Sequence, residues 1–208
     1  MSLLPIKKKA VADVIHVYVD GMNMGLSLYE YYKDVVIDWR LFVEQLLSCG
    51  ESVEFFFFGA ILDPEYDPDK LAFVKKFYAG FREIFNWREE FKGRLEVHFY
   101  EKPVEKVYNR KNGKVVDFKC DADGELMLDA YEAVIKGKAN GGVILMSGDR
   151  DFIPLMKRIK YKHKIRIKWI PVSESTSRAI RREFPPDEIN YLVEMAVPKN
   201  VPATAVVS

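Results

Sequence analysis

The sequence has few of the residues that build disulfide frameworks, zinc sites or membrane spans. Its two cysteines, Cys49 and Cys120, form no C-x-x-C pair, and its three histidines are scattered. Neither a disulfide-stabilised secreted domain nor a Cys/His zinc site is therefore indicated. The most apolar run, VEFFFFGAIL, is about half as long as a membrane-spanning helix, and MSLLPIKKKA lacks the apolar core of a secretory signal. We expect a cytoplasmic protein with no membrane partner.

The chain also lacks a strong overall charge, since its formal net charge is +1. The charges are nevertheless uneven: from Arg150 to Arg182 there are eleven Lys or Arg residues against two acidic ones. Such an excess can contact the phosphates of a nucleic acid. The alternative is a solvated helix face followed by a strand with outward lysines, and the sequence leaves both interpretations open.

Short apolar segments of strand length alternate with helical patterns along the chain. The expected strands are 14–19, 53–59, 95–100, 142–147 and 165–170. The expected helices are 38–50, 67–91, 123–137 and 151–162. The strands are almost continuously apolar, which is typical of a parallel sheet buried on both faces. This alternation predicts an α/β sandwich with a mostly parallel central sheet.

The remaining segments fit around one domain. Asn112 and Gly113 are the preferred pair for a tight turn, so a small β-hairpin is expected as an insertion. We expect an N-terminal extension over residues 1–11, the folded domain over 12–193 and a flexible C-terminal tail over 194–208.

Acidic residues follow two of the expected strands. The first strand ends in VDGMN, which places Asp20 at its tip, Gly21 in a tight turn and Asn23 within reach of Asp20. The fourth is followed by SGDRD, which contributes Ser147, Asp149 and Asp151. Ligands of open α/β sheets bind outside the carboxyl ends of the strands, so we expect these side chains to line a site.

The helix at 123–137 brings further acids towards the sheet. Asp123 and Asp129 both lie beside the helix face that must pack against it. Each acid also has a purely structural interpretation. Asp123 can cap its helix, Asp129 can be a boundary residue that tilts outward, and Asp151 can cap the helix that follows the fourth strand.

A cluster of these acids requires compensation. Two carboxylates about 4 Å apart repel by roughly 4 kcal/mol at an effective dielectric near 20. A total folding stability of about 5 to 15 kcal/mol does not absorb several such terms. If Asp20, Asp149 and an acid of the helix lie this close together, a divalent cation or protonation of one acid is required. Oxygen-only ligands favour Mg²⁺ or Mn²⁺.

Three segments resemble the signature blocks of a known family. HVYVDGMN, FKCDADGELMLDAY and GGVILMSGDRDFIPLMKRIK are similar, in order and spacing, to those of the NYN domain, the LabA-like branch of the PIN-like nucleases. In the middle block, Cys120 stands where a lysine is usual and Lys119 is one place early. Asp121 therefore competes with Asp123 as the middle ligand.

The resemblance implies a Rossmann-like three-layer sandwich in which the first and fourth strands are neighbours. It also implies metal-dependent cleavage of phosphodiester bonds, usually in RNA. Carried over position by position, the catalytic and metal-binding residues are Asp20, Asp123, Asp149 and Asp151, with Mg²⁺ or Mn²⁺ as cofactor. The substrate-binding residues are Asn23, Ser147, Arg150 and Lys119. Asp121 and Asp129 are supporting or alternative acids.

Two other functions are compatible with the same residues. Haloacid-dehalogenase phosphatases also pair a first-strand aspartate with a later Gly-Asp block, but Met22 stands where they carry a second aspartate. The other alternative is an RNA-binding or protein-interaction module with little catalytic activity. The sequence does not fix the oligomeric state, for which a homodimer is our working hypothesis.

Overall fold

A computed structural model of the chain describes residues 13–49, 52–61, 67–111, 113, 115–120, 122–173 and 178–195. For residues 116–119 it describes the backbone alone. The expected N-terminal extension and most of the expected tail lie outside these ranges. Asn112 of the expected turn and Asp121 also lie outside them.

The strands and helices alternate as the sequence predicts. The strands are β1 (Val14–Asp20), β2 (Ser52–Ile61), β3 (Leu95–Pro103), β4 (Glu105–Tyr108), β5 (Val115–Lys119), β6 (Gly142–Met146) and β7 (Ile167–Trp169). The α-helices are α1 (Gly21–Tyr32), α2 (Trp39–Leu47), α3 (Pro68–Asn86), α4 (Asp123–Ile135), α5 (Ile153–Lys157), α6 (Arg178–Glu183) and α7 (Leu192–Met195). A 3₁₀ turn at Arg150–Phe152 precedes α5, and a π-helical turn at Arg158–Lys162 follows it.

The central sheet has five parallel strands in the order β3-β2-β1-β6-β7. The predicted α/β fold is therefore confirmed, and β1 and β6 are neighbours as the resemblance implies. Chain connections from these two strands lead towards opposite edges of the sheet. Their carboxyl ends consequently border the crevice where such folds bind ligands.

Alternate residues of each strand supply two cores. Val17, Phe55 and Ile144 belong to the core shared with α1, α2, α3 and α7. Tyr18 and Leu145 belong to the core shared with α4, α5 and α6. The sheet is thus the middle of three layers, because apolar side chains leave both of its faces.

The expected hairpin is present as the antiparallel pair β4 and β5. Gly113, between the two strands, has φ of 65°, which a glycine adopts at little cost. None of the helices in the described part of the chain combines the length and apolar content needed to cross a membrane.

Helix α1 is absent from the sequence-based prediction. The expected tight turn at Gly21 is wrong, because α1 begins at that residue directly after β1. Two glycines and an asparagine in the first five residues of α1 conceal its helical pattern. Gly21 serves close packing instead: a Cβ atom there would lie 2.6 Å from the Phe57 ring and 2.9 Å from the Phe58 carbonyl oxygen.

Replacing Gly21 with alanine should therefore destabilise the fold. We expect Gly21→Ala to lower the free energy of unfolding by about 1 to 3 kcal/mol, the usual cost of overpacking. Gly25→Ala is the matched control one turn later, where the added Cβ would meet a Val74 methyl at 3.3 Å. Its change should stay within about 1 kcal/mol, because alanine also favours the helix. Equal stability of Gly21→Ala and the parent in urea unfolding would contradict this explanation.

Candidate active site

Asp20 is a buried carboxylate at the tip of β1, with 7% of its surface exposed. Its Oδ1 accepts a hydrogen bond from the Asn23 backbone N–H at 3.1 Å and so caps α1. Its Oδ2 accepts a hydrogen bond from the Ser147 hydroxyl at 2.9 Å. Two hydrogen bonds therefore fix the orientation of this carboxylate, as expected of a metal ligand or a catalytic group.

The residues after β6 are joined to β1 by the same network. Ser147 is fully buried, and its Oγ also accepts the Asp149 backbone N–H at 3.0 Å. The Asn23 side-chain Oδ1 accepts the Gly148 backbone N–H at 2.8 Å. The Asp20 side chain and the Asp149 backbone are thus linked through a single hydroxyl, and Asn23 holds the intervening glycine.

Asp149 caps the 3₁₀ turn that follows it. Its Oδ1 accepts the Asp151 backbone N–H at 2.8 Å. The interpretation of Asp151 as the capping side chain is therefore wrong, since Asp151 supplies the backbone donor and Asp149 the acceptor. The other oxygen of the half-buried Asp149 is not used by this cap. The same carboxylate can therefore cap the turn and also act in the site.

A cavity of about 220 Å³ lies at the carboxyl ends of β1 and β2. Its lining includes Asp20, Asn23, Asp123 and Asp149. Asp123 is the first residue of α4, and Ala122 precedes it as the cap residue. The interpretation of Asp123 as the helix cap is therefore wrong. The structure brings together three of the four acids that the resemblance assigns to catalysis.

The other expected site residues lie elsewhere or are not described. Asp151 and Arg150 are exposed and line a neighbouring cleft, together with Arg182 of α6. Asp129 lines a different cavity, on the sheet face beside α4. Asp121 and the side chain of Lys119 lie outside the described residues.

The sequence reasoning missed the apolar part of the cavity wall. Met22, Leu26, Phe58, Val104 and Cys120 contribute to it. Phe58 comes from β2, the strand on the other side of β1, and Val104 lies between β3 and β4. No spacing rule links Phe58 and Val104 to the acidic blocks. Only the order of the strands in the sheet brings them to the site.

The acids of the cavity act on one another through their charges. The pKa of Asp20 is raised from 3.8 to about 7; burial is the largest cause, and the charges of Asp123 and then Asp149 contribute to the rise. The hydrogen bonds from Asn23 and Ser147 oppose this rise. Asp20 therefore carries a negative charge at neutral pH only at a cost, which a cation in the cavity would offset.

These residues fit a hydrated divalent cation. In the ranges that the structure describes, no three His, Cys, Asp or Glu side chains are grouped closely enough to form a complete metal site as they stand. Mg²⁺ usually keeps several waters and binds through one or two carboxylates, so it does not need such a group. Oxygen ligands, a buried carboxylate and two acids acting on it satisfy the requirements of Mg²⁺ or Mn²⁺.

Comparisons with known proteins agree with the fold. The family model of the NYN domain matches residues 14–186. A crystal structure of a protein of unknown function from Vibrio parahaemolyticus is similar, with a TM-score of 0.52 and 20% sequence identity over 92% of this chain and 99% of that chain. At this identity the likeness concerns the fold alone. A search of curated proteins finds no significant match.

The raised pKa of Asp20 predicts a pH dependence of stability in protein kept free of divalent ions by EDTA. Folded Asp20 retains a proton that the unfolded chain releases near 3.8, so its contribution to stability falls as the pH rises from there through about 7. Over this pH interval, the free energy of unfolding should fall by at most about 4 kcal/mol because of Asp20.

Asp20→Asn removes this contribution and should flatten the decline, as measured by urea unfolding at about pH 5 and about pH 8. Asp34→Asn changes an exposed aspartate between α1 and α2 and is the control. If Asp20→Asn and the parent lose equal stability between the two pH values, Asp20 does not carry the raised pKa.

Proposed function

The chain belongs to the NYN domain family of the PIN-like nuclease superfamily, as its three sequence blocks predict, and we propose that it is a ribonuclease dependent on Mg²⁺ or Mn²⁺. The observation that carries this proposal is the convergence of Asp20, Asp123 and Asp149 on one cavity at the boundary between β1 and β6. The charges of Asp123 and Asp149 both raise the pKa of Asp20, as expected of acids grouped to bind a cation.

In the proposed mechanism the acids bind the metal ion, and Ser147 and Asn23 orient Asp20. Asp20, Asp123 and Asp149 would hold the metal ion, and Asp151 would assist them from the neighbouring cleft. A bound Mg²⁺ or Mn²⁺ supplies a Lewis acid that neutralises phosphate charge and lowers the pKa of water. Ser147 and Asn23 keep Asp20 in one orientation, so that little reorganisation is needed when the substrate binds.

The phosphate backbone has a suitable approach beside the cavity. Arg150 and Arg182 line the neighbouring cleft, which also contains Asp151. Much of the remaining basic run is engaged within the protein: Lys157 pairs with Glu183, and Lys160 pairs with Glu188. We therefore assign backbone contacts to the two arginines, since a guanidinium binds phosphate through two parallel hydrogen bonds.

Specific observations bear on the two alternatives to a nuclease, a phosphatase and an RNA-binding module. Met22 lines the cavity where a haloacid-dehalogenase phosphatase would need its second aspartate, which argues against that reaction. An RNA-binding module with weak catalysis is favoured by the lack of a preformed group of three metal ligands among the described residues. The cleavage experiment below distinguishes this module from the nuclease.

We expect the protein to cleave single-stranded RNA in Mg²⁺ or Mn²⁺, and we expect Asp149→Asn to lower the rate at least about 100-fold, since it removes a charge from the metal site. A gel assay with end-labelled RNA measures both rates. Asp34→Asn should cleave like the parent. Tight RNA binding, with cleavage in neither metal above the Asp149→Asn level, would establish the binding module instead.

The proposed metal site also predicts stabilisation without substrate. A ligand that binds the folded state alone at about 100 times its dissociation constant adds about 2.7 kcal/mol to the free energy of unfolding. Mn²⁺ should therefore raise the melting temperature of the parent but have little effect on Asp20→Asn. Equal shifts in the parent, Asp20→Asn and Asp34→Asn would mean that Mn²⁺ binds elsewhere.

A further inference from the structure

Aromatic side chains form two parallel rows across the sheet face that also carries Asp20. In one row Tyr18 of β1, Phe56 of β2 and His98 of β3 are partners in the strand register. In the next row the partners are Phe58 and Tyr100, with Asp20 at the β1 end. The second row therefore connects the proposed active site with the outer edge of the sheet.

The rings within each row are stacked nearly parallel. Tyr18 and Phe56 have ring centroids 4.9 Å apart with 15° between their planes, and Phe56 and His98 are 4.9 Å apart with 19°. Phe58 and Tyr100 are 4.8 Å apart with 12°. This separation equals the spacing of neighbouring strands, so the rings stand upright on the sheet and stack from strand to strand.

Both stacks end at β3, the edge strand of the sheet. The side chain of His98 is 43% exposed, and Tyr100 is 38% exposed. Among the described residues, each of the two rings has an aromatic neighbour on one side only, Phe56 for His98 and Phe58 for Tyr100. Because both rings are more than a third exposed, a further flat ring can stack on either of them.

The polar group nearest to the exposed His98 ring is a carboxylate, that of Glu54. A cavity of about 310 Å³ beside the rings is lined by three carboxylates, Glu54, Asp129 and Glu132, and by two lysines, Lys136 and Lys138. Lys136 is paired with Glu132. Glu54 Oε2 lies 3.7 Å from His16 Nε2 and 4.0 Å from His98 Nε2. Carboxylates repel phosphate but accept hydrogen bonds from the N–H groups of a base edge. Guanine presents two such groups side by side.

We propose that His98 and Tyr100 form a stacking subsite for a base of single-stranded RNA, and that the neighbouring carboxylates favour guanine there. The inference rests on the proposed function, because the subsite selects the RNA that reaches Asp20. Tyr100 lies two strands from Asp20, about 10 Å at ordinary strand spacing, so the bound base belongs to a nucleotide near the scissile bond. Aromatic side chains on sheet surfaces bind single-stranded RNA by such stacking.

Binding is tested in the full chain carrying Asp149→Asn, so that RNA stays intact. The probes are an oligouridine and the same oligomer with one central guanosine, measured by fluorescence anisotropy. We expect the guanosine oligomer to bind more tightly. Tyr100→Leu and His98→Leu should each weaken its binding about five- to tenfold and reduce the difference between the probes. Tyr100→Phe keeps the ring and should bind like the parent.

Tyr31→Leu is the matched control, because Tyr31 is 47% exposed and lies on α1, in the opposite helix layer. The proposal is overturned if Tyr100→Leu and His98→Leu bind both oligomers like the parent, or if Tyr31→Leu weakens binding equally. It is also overturned if the two substitutions change only self-association in sedimentation, which would make this face a protein interface. Circular dichroism confirms that each variant is folded.

The outcome is separable from that of the proposed nuclease. If Asp149→Asn abolishes cleavage while Tyr100→Leu binds and cleaves like the parent, the subsite is wrong and the nuclease stands. If no variant or parent cleaves RNA but binding depends on Tyr100, the nuclease is wrong and the base subsite stands.

Discussion

The Ser147 hydroxyl connects the two halves of the candidate site. It donates to Asp20 at 2.9 Å and accepts from the Asp149 backbone at 3.0 Å, so one buried group fixes the end of β1 against the segment that follows β6. The parallel ladder already places the ends of β1 and β6 side by side, and these contacts fix the side chains beyond it. Asn23 adds the second connection through Gly148. The relative position of Asp20 and Asp149 depends on these bonds.

This network orients Asp20, but it does not compensate fully for the free energy of holding a buried negative charge. Two hydrogen bonds lower the pKa of the carboxyl, yet burial and the charges of Asp123 and Asp149 still raise it to about 7. A fold optimised only for stability would replace Asp20 with a neutral residue, as buried charges without partners are costly. Three acids around one cavity suit the cation of the proposed function, and carboxyl groups with a shifted pKa are concentrated at functional sites.

The sheet could be predicted because its strands are short, apolar and bounded by polar segments, and the acids could be predicted because they directly follow β1 and β6. Helix α1 could not be predicted, because its first residue is a glycine, which disfavours a helix locally. Gly21 is required there by its close packing against Phe57. Local sequence also could not decide which acid caps a turn. Asp149 takes that role from Asp151 through one hydrogen bond. Nor does spacing reveal that Asp129 faces another cavity, because α4 carries acids along two sides.

An acidic cavity by itself repels the polyanion that it is proposed to cleave, so the binding energy must come from its surroundings. The net charge of +1 gives little long-range attraction. Ion pairs within the protein, such as Lys157 with Glu183, neutralise part of the basic segment from Arg150 to Arg182. Two complementary sources remain beside the acids. Arg150 and Arg182 can hold phosphates, and salt screens this contribution. The stacked rings that end at Tyr100 can hold a base through contacts that salt does not screen, so their contribution to affinity persists at physiological ionic strength.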